Sequence, residues 1–429
     1  MTVLSPANAL SFYLRDIDIN SKGEIAIAGW FSSTFTLAGT TLRTKGRNDV
    51  LVGKLDATGK WLWVRSFGGT ELDYAHTVSI DESGNITVGG QFGKSMTVGG
   101  KLLTAKHVDL FVVQYNSSGT VRWAVHGGSV GMDTVYASDT DAQGNVYIAG
   151  LHQYSFKLGT HSVTSQGGTS GFVARLDTKG NWSWVKVISS SSNDKAQDLK
   201  VDQNGNVYVA GAFGRSISSG TLKLTNRGRD DLFLVKYDNQ GKLLWATAAG
   251  GTGFESEAHL ALDNAGDVFF SGLTRSAVMK TEGGHSLSNA RTTINNTFLA
   301  KVSSKKSWQW AKLLNPSNGG SIAVRGMAVD KAGQLWMAAS FEYTLNTGWF
   351  KGKAVGSSDV FLVTADKNGN PVSAITGGGK SADLLRSIRY HQQQIFALGM
   401  VLSPFHFAGK TSGPTSPRYL GILLKAPAK

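Results

Sequence analysis

The 429-residue sequence contains no cysteine, which excludes a disulfide framework, thiolate metal sites and a cysteine nucleophile. Proline is scarce, at 7 residues, while 20 Phe, 11 Tyr and 11 Trp are spread along the chain, a composition that excludes disorder. No run approaches the roughly 18 consecutive apolar residues of a membrane-spanning helix. The opening residues, MTVLSPANALSFYLRD, lack the basic segment and long apolar run of a secretory leader. G-x-S-x-G, H-E-x-x-H, a P-loop and a G-x-G-x-x-G in a βαβ setting are all missing. Acids are also in deficit, 30 against 43 Lys and Arg, so the formal charge is +13.

Glycine, in contrast, is abundant at 53 residues, and it is periodic. A D-x-x-G turn followed by an alternating strand recurs as NSKGEIAIAG from Asn20, DESGNITVGG from Asp81, DAQGNVYIAG from Asp141, DQNGNVYVAG from Asp202, DNAGDVFFSG from Asp263 and DKAGQLWMAA from Asp330. The turn glycines, Gly23, Gly84, Gly144, Gly205, Gly266 and Gly333, are 61, 60, 61, 61 and 67 residues apart, the mark of a repeat architecture. A degraded copy begins near Leu384, where HQQQIFALG from His391 replaces the aspartate and glycine.

About 30 residues into each repeat come second landmarks such as DVLVGKLDATG from Asp49 and DLFLVKYDNQG from Asp231. A strand holding Trp63, Trp123, Trp184, Trp245 or Trp310 follows, often closed by a glycine pair such as Gly68 and Gly69. Each repeat therefore reads as four strands. Asp opening a tight turn bonds its own backbone two residues on and Gly supplies the positive φ, so these aspartates read as turn chemistry. The loops are too short and too poor in carboxylates to encircle calcium.

Repeats of this size predict an all-β fold, a seven-bladed β-propeller with four antiparallel strands per blade, as one domain over 1–429. Its repeats run over 11–69, 70–128, 129–189, 190–251, 252–320, 321–379 and 380–429, the last completed by 1–10. Aligning Gly23 with Gly84 places Thr2, Val3 and Leu4 on Trp63, Val64 and Arg65, so the N-terminal strand is expected to close the last blade and protect its edge. On that alignment no room remains for a cleaved leader before Met1.

The repeats resemble the bacterial SBBP family of β-propeller repeats, whose units read approximately D-x-A-x-x-I-x-V-D-x-x-G-N-V-Y-V-x-G-x-F and then D-x-F-V-x-K-L-D-x-x-G-x-x-x-W-A-x-x-x-G-G. Residues 190–251 carry the pattern best, in DKAQDLKVDQNGNVYVAGAF, DLFLVKYDNQGKLLWA and Gly250 with Gly251. The resemblance covers essentially the whole chain; SSKKS from Ser303 and the last repeat depart from it. It implies a propeller fold and bacterial surface or secreted proteins, with no shared catalytic residue.

Function is sought where the repeats differ. The connections between second and third strands, 32–48, 93–108, 152–170, 214–229, 274–296, 342–358 and 403–418, are long for a compact domain. They hold 18 Lys and Arg against two acids, a net +16, which leaves −3 for the rest. On one face they would form a basic crown of Arg43, Lys45, Arg47, Lys94, Lys101, Lys106, Lys157, Arg215, Lys223, Arg227, Arg229, Arg275, Lys280, Arg291, Lys351, Lys353, Lys410 and Arg418. A T-x-G-x-x-L-like core in each suggests a small extra hairpin. Trp349 beside Lys351 is a candidate stacking platform, whereas the outer-strand tryptophans read as packing between blades and Trp30, Trp336 and Trp349 break that pattern.

Asp73, Asp133, Asp194, Glu255 and Asp383, each at the start of a first strand, would ring the channel mouth, either capping backbone amides or binding a cation. Asp16, Asp18, Asp139, Asp198, Lys200, His259 and Arg389 are the acid–base candidates farther along, in no repeated pairing. The expectation is a non-catalytic recognition or docking module with no cofactor and no metal, binding an acidic glycan, lipopolysaccharide or acidic protein surface. The alternatives are a structural or receptor-binding part of a phage, virion or secretion particle, and an enzyme working at the channel mouth. Nucleic acid is a lesser partner, supported by charge alone. The protein is expected as a monomer or assembly part, extracellular, cell-surface or particle-associated, with the cytoplasm still open.

Overall fold

The computed structural model of the chain describes residues 2–4, 12–314, 320–346, 350–402, 405–407, 410–412 and 419–427. Every regular element there is a β-strand, and the fold is an all-β β-propeller. The third repeat shows how its sequence forms one sheet. Thr134–Thr140, Val146–His152, Ser170–Leu176 and Trp182–Ile188 pair antiparallel in chain order. The second strand, VYIAGLH, is buried along its whole length, which is why it does not alternate with exposed polar residues. The outer strand, WSWVKVI, mixes buried and half-buried positions.

The turns follow the chemistry expected of D-x-x-G. Asp141 Oδ1 accepts the amide hydrogens of Gln143 and Asn145 at 3.0 and 2.9 Å, with Gly144 at φ +81°. In the departing copy, SSKKS, Lys306 takes the glycine position at φ +72° and Ser303 Oγ accepts from Ser307 N. The degraded copy keeps the hairpin with a two-residue turn, Gln392 and Gln393, both at positive φ between paired His391 and Gln394.

The blade count is corrected. Hydrogen bonding forms five discrete blades, three sheets of four strands and two of six, while the first two repeats run together in one eight-stranded sheet. The cause lies in the long connections, each of which does fold into a hairpin, as in Phe35–Leu37 with Thr40–Leu42 and Ser155–Leu158 with His161–Thr164. Several hairpins then pair with the outer strand of the preceding repeat: Gly68 with Thr97 and Gly69 with Met96, Gly250 with Lys280, and Gly377 with Phe407. Glycine is needed there, because a Cβ on Gly69 would lie 1.7 Å from Ser95 O. The glycine pairs thus join sheets that seven separate blades would have kept apart.

By packing, the chain falls into two compact parts: residues 5–209 with 236–244, and residues 1–4, 210–235 and 245–429. In the first, the core gathers Val52, Val78, Val88, Phe92, Phe111 and Val113, with a second cluster around Ile148 and Phe172. Trp63, Trp123 and Trp184 donate Nε1–H to the turn carbonyls of Ser117, Thr178 and Asn239 in the following repeat at 3.0, 3.2 and 3.0 Å. In the second, cores form around Met337 with Phe361 and around Leu362 with Ile395. There Trp245 and Trp310 make the same bond to Ser304 and Lys367, both at 3.0 Å. Each such bond contributes about 1 kcal/mol beyond ring burial. Thr2–Val3 pairs with Tyr419–Pro427, Thr2 opposite Leu423. Among the described residues no helix is long and apolar enough to cross a membrane.

Candidate functional site

The acids at the first-strand starts are fully buried and cap amides four residues back. Asp73 accepts from Gly69 N at 2.6 Å, Asp133 from Ser129 N at 2.5 Å, Asp194 from Ser190 N at 2.5 Å, Glu255 from Gly251 N at 3.1 Å and Asp383 from Gly379 N at 2.7 Å. That arrangement is a capping role; among the described residues no group of three or more His, Asp or Glu is placed to hold a metal.

A second buried carboxylate sits near several of them, at the start of the preceding third strand: Asp49, Asp109, Asp231 and Asp359. Gly68, Gly128, Gly250 and Gly378 leave room for it, since a Cβ on them would come within 2.5, 2.2, 2.2 and 2.1 Å of its carboxyl carbon. Burial, with the neighbouring carboxylate adding to it, pushes Asp73 and Asp133 up to about 6. Burial and Glu255 push Asp231 up to about 7, against the opposing charge of Arg227 at 3.2 Å.

Three of the acid–base candidates tie successive repeats. Asp16 Oδ2 accepts from Thr77 Oγ1 and Val78 N at 3.2 and 3.0 Å, Asp18 from Ile80 N at 2.9 Å and Asp139 from Val201 N at 2.8 Å. Asp198 caps Leu199 N, and Arg389 donates to Ser387 Oγ and Ile388 O.

The basic residues divide. Arg43, Lys45, Arg47, Lys106, Lys157, Arg215, Lys223, Lys280, Lys351 and Lys353 are exposed. Others are engaged: Lys94 with Glu71, Lys101 Nζ on Ala124 O at 2.7 Å, Arg227 with Asp231, Arg229 over the Phe254 ring at 4.6 Å and Arg275 Nε on Asn295. Arg291 is half-buried. Trp349, Arg418 and the Lys410 side chain lie outside the described residues. Exposed apolar side chains sit at the same end of the repeats, Leu102 (64%) and Tyr154 (59%) in the first part, Tyr343 (70%) and Val355 (72%) in the second.

Sequence reasoning missed the β-bulges of the first strands. Pairing slips at Arg15, His76 and Tyr136 in the first part and around Glu257, Arg325 and Arg386 in the second. A bulge re-aims the extra residue's side chain. Two of these in the first part, His76 and Tyr136, join an aromatic cluster. Tyr13 stacks on Trp30 at 5.6 Å and 19°, Tyr74 meets Trp30 edge-on at 5.1 Å and 86°, and His76 lies 6.2 Å from Tyr74 and 5.8 Å from Tyr136. Burial and the charge of Arg15 hold His76 down to about 4, so it is neutral at neutral pH. The signal was visible in two forms: Trp30 departs from the outer-strand tryptophan register, and His76, Tyr136 and Arg386 each stand three residues after a capping acid.

No protein-family model matches the chain. It is 22% identical over 262 residues, 49% of the chain, to an uncharacterized WD repeat-containing protein of Acanthamoeba polyphaga mimivirus, and 24% identical over 177 residues, 39% of the chain, to the regulatory protein FlaEY of Caulobacter vibrioides. Those segments span 19% and 18% of the two relatives, less than a fifth of either. Among solved structures, the Pan2 WD40 domain of Neurospora crassa is 11% identical with a TM-score of 0.46, over 95% of this chain and 88% of that one. The intramolecular trans-sialidase of Ruminococcus gnavus is 10% identical with a TM-score of 0.43, over 98% and 96%.

Proposed function

We propose that the protein is a non-catalytic recognition module that engages an anionic glycan through its basic hairpins. The observation that carries this reading is the set of exposed cations at the hairpins: Lys280, Lys351 and Lys353 lie on paired hairpin strands, while Arg43, Lys45, Arg47 and Lys106 lie in the segments that lead from a hairpin into the third strand, the amides of Lys45 and Lys106 held by Asp49 and Asp109. Several weak cationic contacts on stiff hairpins sum to useful avidity and are screened by salt. Asp16, Asp18 and Asp139 are engaged in ties between repeats, which supports binding over chemistry at those positions.

The test is retention of the full chain on immobilised heparin. Replacing Arg43, Lys45, Arg47 and Lys106 by Glu is expected to lower the eluting salt concentration at least twofold without changing the circular dichroism spectrum. Elution at the wild-type salt concentration overturns the reading. Arg227 is unsuited to charge reversal, because Glu there would face buried Asp231 and unfold the site.

A further inference from the structure

The degraded last repeat changes the end of the sheets opposite the hairpins. The sixth repeat turns through five residues, 330–334, between paired Val329 and Leu335, as the third does through 141–145. The last turns through two, Gln392 and Gln393, between paired His391 and Gln394. Beside this shortened turn, within the second compact part, lies an open cavity of about 510 Å³ lined by Asp330, Lys331, Gln334, Tyr390, Gln392 and Gln393. Small-molecule sites span roughly 300 to 1,000 Å³. The lining groups are available. Tyr390 Oη accepts from Gln393 N at 3.2 Å and keeps its own hydrogen to donate, while the side chains of Lys331, Gln334, Gln392 and Gln393 make no hydrogen bond or ion pair with described residues. Asp330 accepts from Ala332 N and Gln334 N at 2.9 Å each and from Trp336 Nε1 at 3.2 Å. It lacks the cation of its counterparts: Lys236 and Lys301 pair with Asp202 and Asp263, and Thr364 stands at that place in the sixth repeat. Gln392 and Gln393 hold φ of +45° and +61° in a turn that Asn and Gly form with least strain. Strain kept at a cavity wall points to a use for the side chains.

We propose that this cavity is a binding site for an uncharged sugar unit of a glycan. Carboxamides and a phenol hydroxyl both donate and accept hydrogen bonds, as sugar hydroxyls do. The two charges at the cavity, Asp330 and Lys331, are of opposite sign, so the lining carries no net charge that would select an ion. Three donors fill three of the roughly four acceptor positions of the Asp330 carboxylate, which leaves one for a hydroxyl hydrogen. The half-buried Tyr390 adds apolar ring surface for the C–H groups of a pyranose. An extended peptide fits less well, because it docks by pairing with an open strand edge and the residues flanking both turns are already paired in their own hairpins. The cavity is also separate from the basic hairpins. Leu335–Phe341 runs from the turn at the cavity to the connection that carries Lys351 and Lys353, and its seven residues span about 23 Å. A neutral unit at one end and an anionic glycan at the other would therefore be held independently.

The experiment is calorimetric titration of the full chain with cellohexaose, maltohexaose, mannohexaose and N-acetylchitohexaose, with hexagalacturonate as the charged comparison. The wild-type chain is expected to bind at least one of the neutral hexasaccharides. Gln392→Ala with Gln393→Ala is expected to weaken that binding at least tenfold, and Ala332→Trp, which fills the cavity from its wall, to abolish it. Gln392→Asn with Gln393→Gly relieves the turn, so it is expected to raise the melting temperature while losing the same affinity. Misfolding cannot produce that combination. Lys351→Glu with Lys353→Glu is expected to leave the neutral titration unchanged, so a failure of the hairpin reading on heparin stays distinct from a failure of this site. Binding of no neutral probe, or wild-type affinity in both glutamine variants, overturns the site. Binding of hexagalacturonate alone, lost in Lys331→Gln, overturns the uncharged assignment.

Discussion

The same bulged position serves two chemistries in the two parts of the molecule. In the first part it holds Arg15, His76 and Tyr136 beside rings; in the second, Glu257 and Arg325 neutralise each other in an ion pair. The scaffold is common to both: a capping residue at the strand start in most repeats, a slip two or three residues on, and a small residue opposite it, Gly29, Gly90 or Gly150 in one part and Ala339 in the other. Repetition therefore supplies equivalent, re-aimed positions, and residue identity alone makes one set a ring cluster and the other an ion pair.

The most disruptive way to break that comparison is at the small residue. A Cβ on Gly90 would lie 1.9 Å from Tyr74 O, so Gly90→Ala should cost about 3 kcal/mol in urea denaturation and displace Tyr74 and His76. Ala339→Gly should cost no more than about 1 kcal/mol. Equal costs would mean that the two bulges are not held by the same close approach.

Next in size is the pH response of the first part. Asp73 and Asp133, raised to about 6, bind protons in the folded chain before the unfolded one does. Their contribution is fully present below the ordinary carboxylate range and is lost as pH rises through about 6. His76 and His152, lowered to about 4 by burial, act oppositely: stability falls as pH drops from 6.5 toward 4, because the unfolded chain protonates first. Replacing both aspartates by Asn should therefore steepen the loss of stability between pH 6 and 4, by on the order of 1 kcal/mol per group. Denaturation midpoints across that range check this, and an unchanged profile would remove the buried-carboxylate account. Trp63→Phe should cost about 1 kcal/mol through the lost bond to Ser117. Smallest is Arg325→Gln: its ion pair with Glu257 is partly exposed, so a change within about 0.5 kcal/mol is expected.

Much of this is legible in the sequence alone. The D-x-x-G turns, the four-strand repeat, the tryptophan register and the small hairpins follow from glycine's positive φ and from hydrophobic period, which are local. Blade separation was not legible, because Gly68, Gly69 and Gly250 mark close backbone approach without saying which strand approaches. Site residues divided in the same way. Exposure of Lys45 or Lys353 could be read from loop position, but the burial of Arg227 against Asp231 depends on a neighbouring strand end. The bulges were hidden because a register slip leaves no residue type behind, only the constant offset from Asp73 to His76 and from Asp133 to Tyr136.

The most direct test of anion recognition is equilibrium binding of the full chain to polygalacturonate at low and at near-physiological salt, comparing wild type with the chain in which Arg43, Lys45, Arg47 and Lys106 are Glu. The account expects wild-type affinity to fall at least tenfold with salt and the charge-reversed chain to bind weakly at both. Wild-type binding that is absent, or insensitive to both salt and charge reversal, would contradict it.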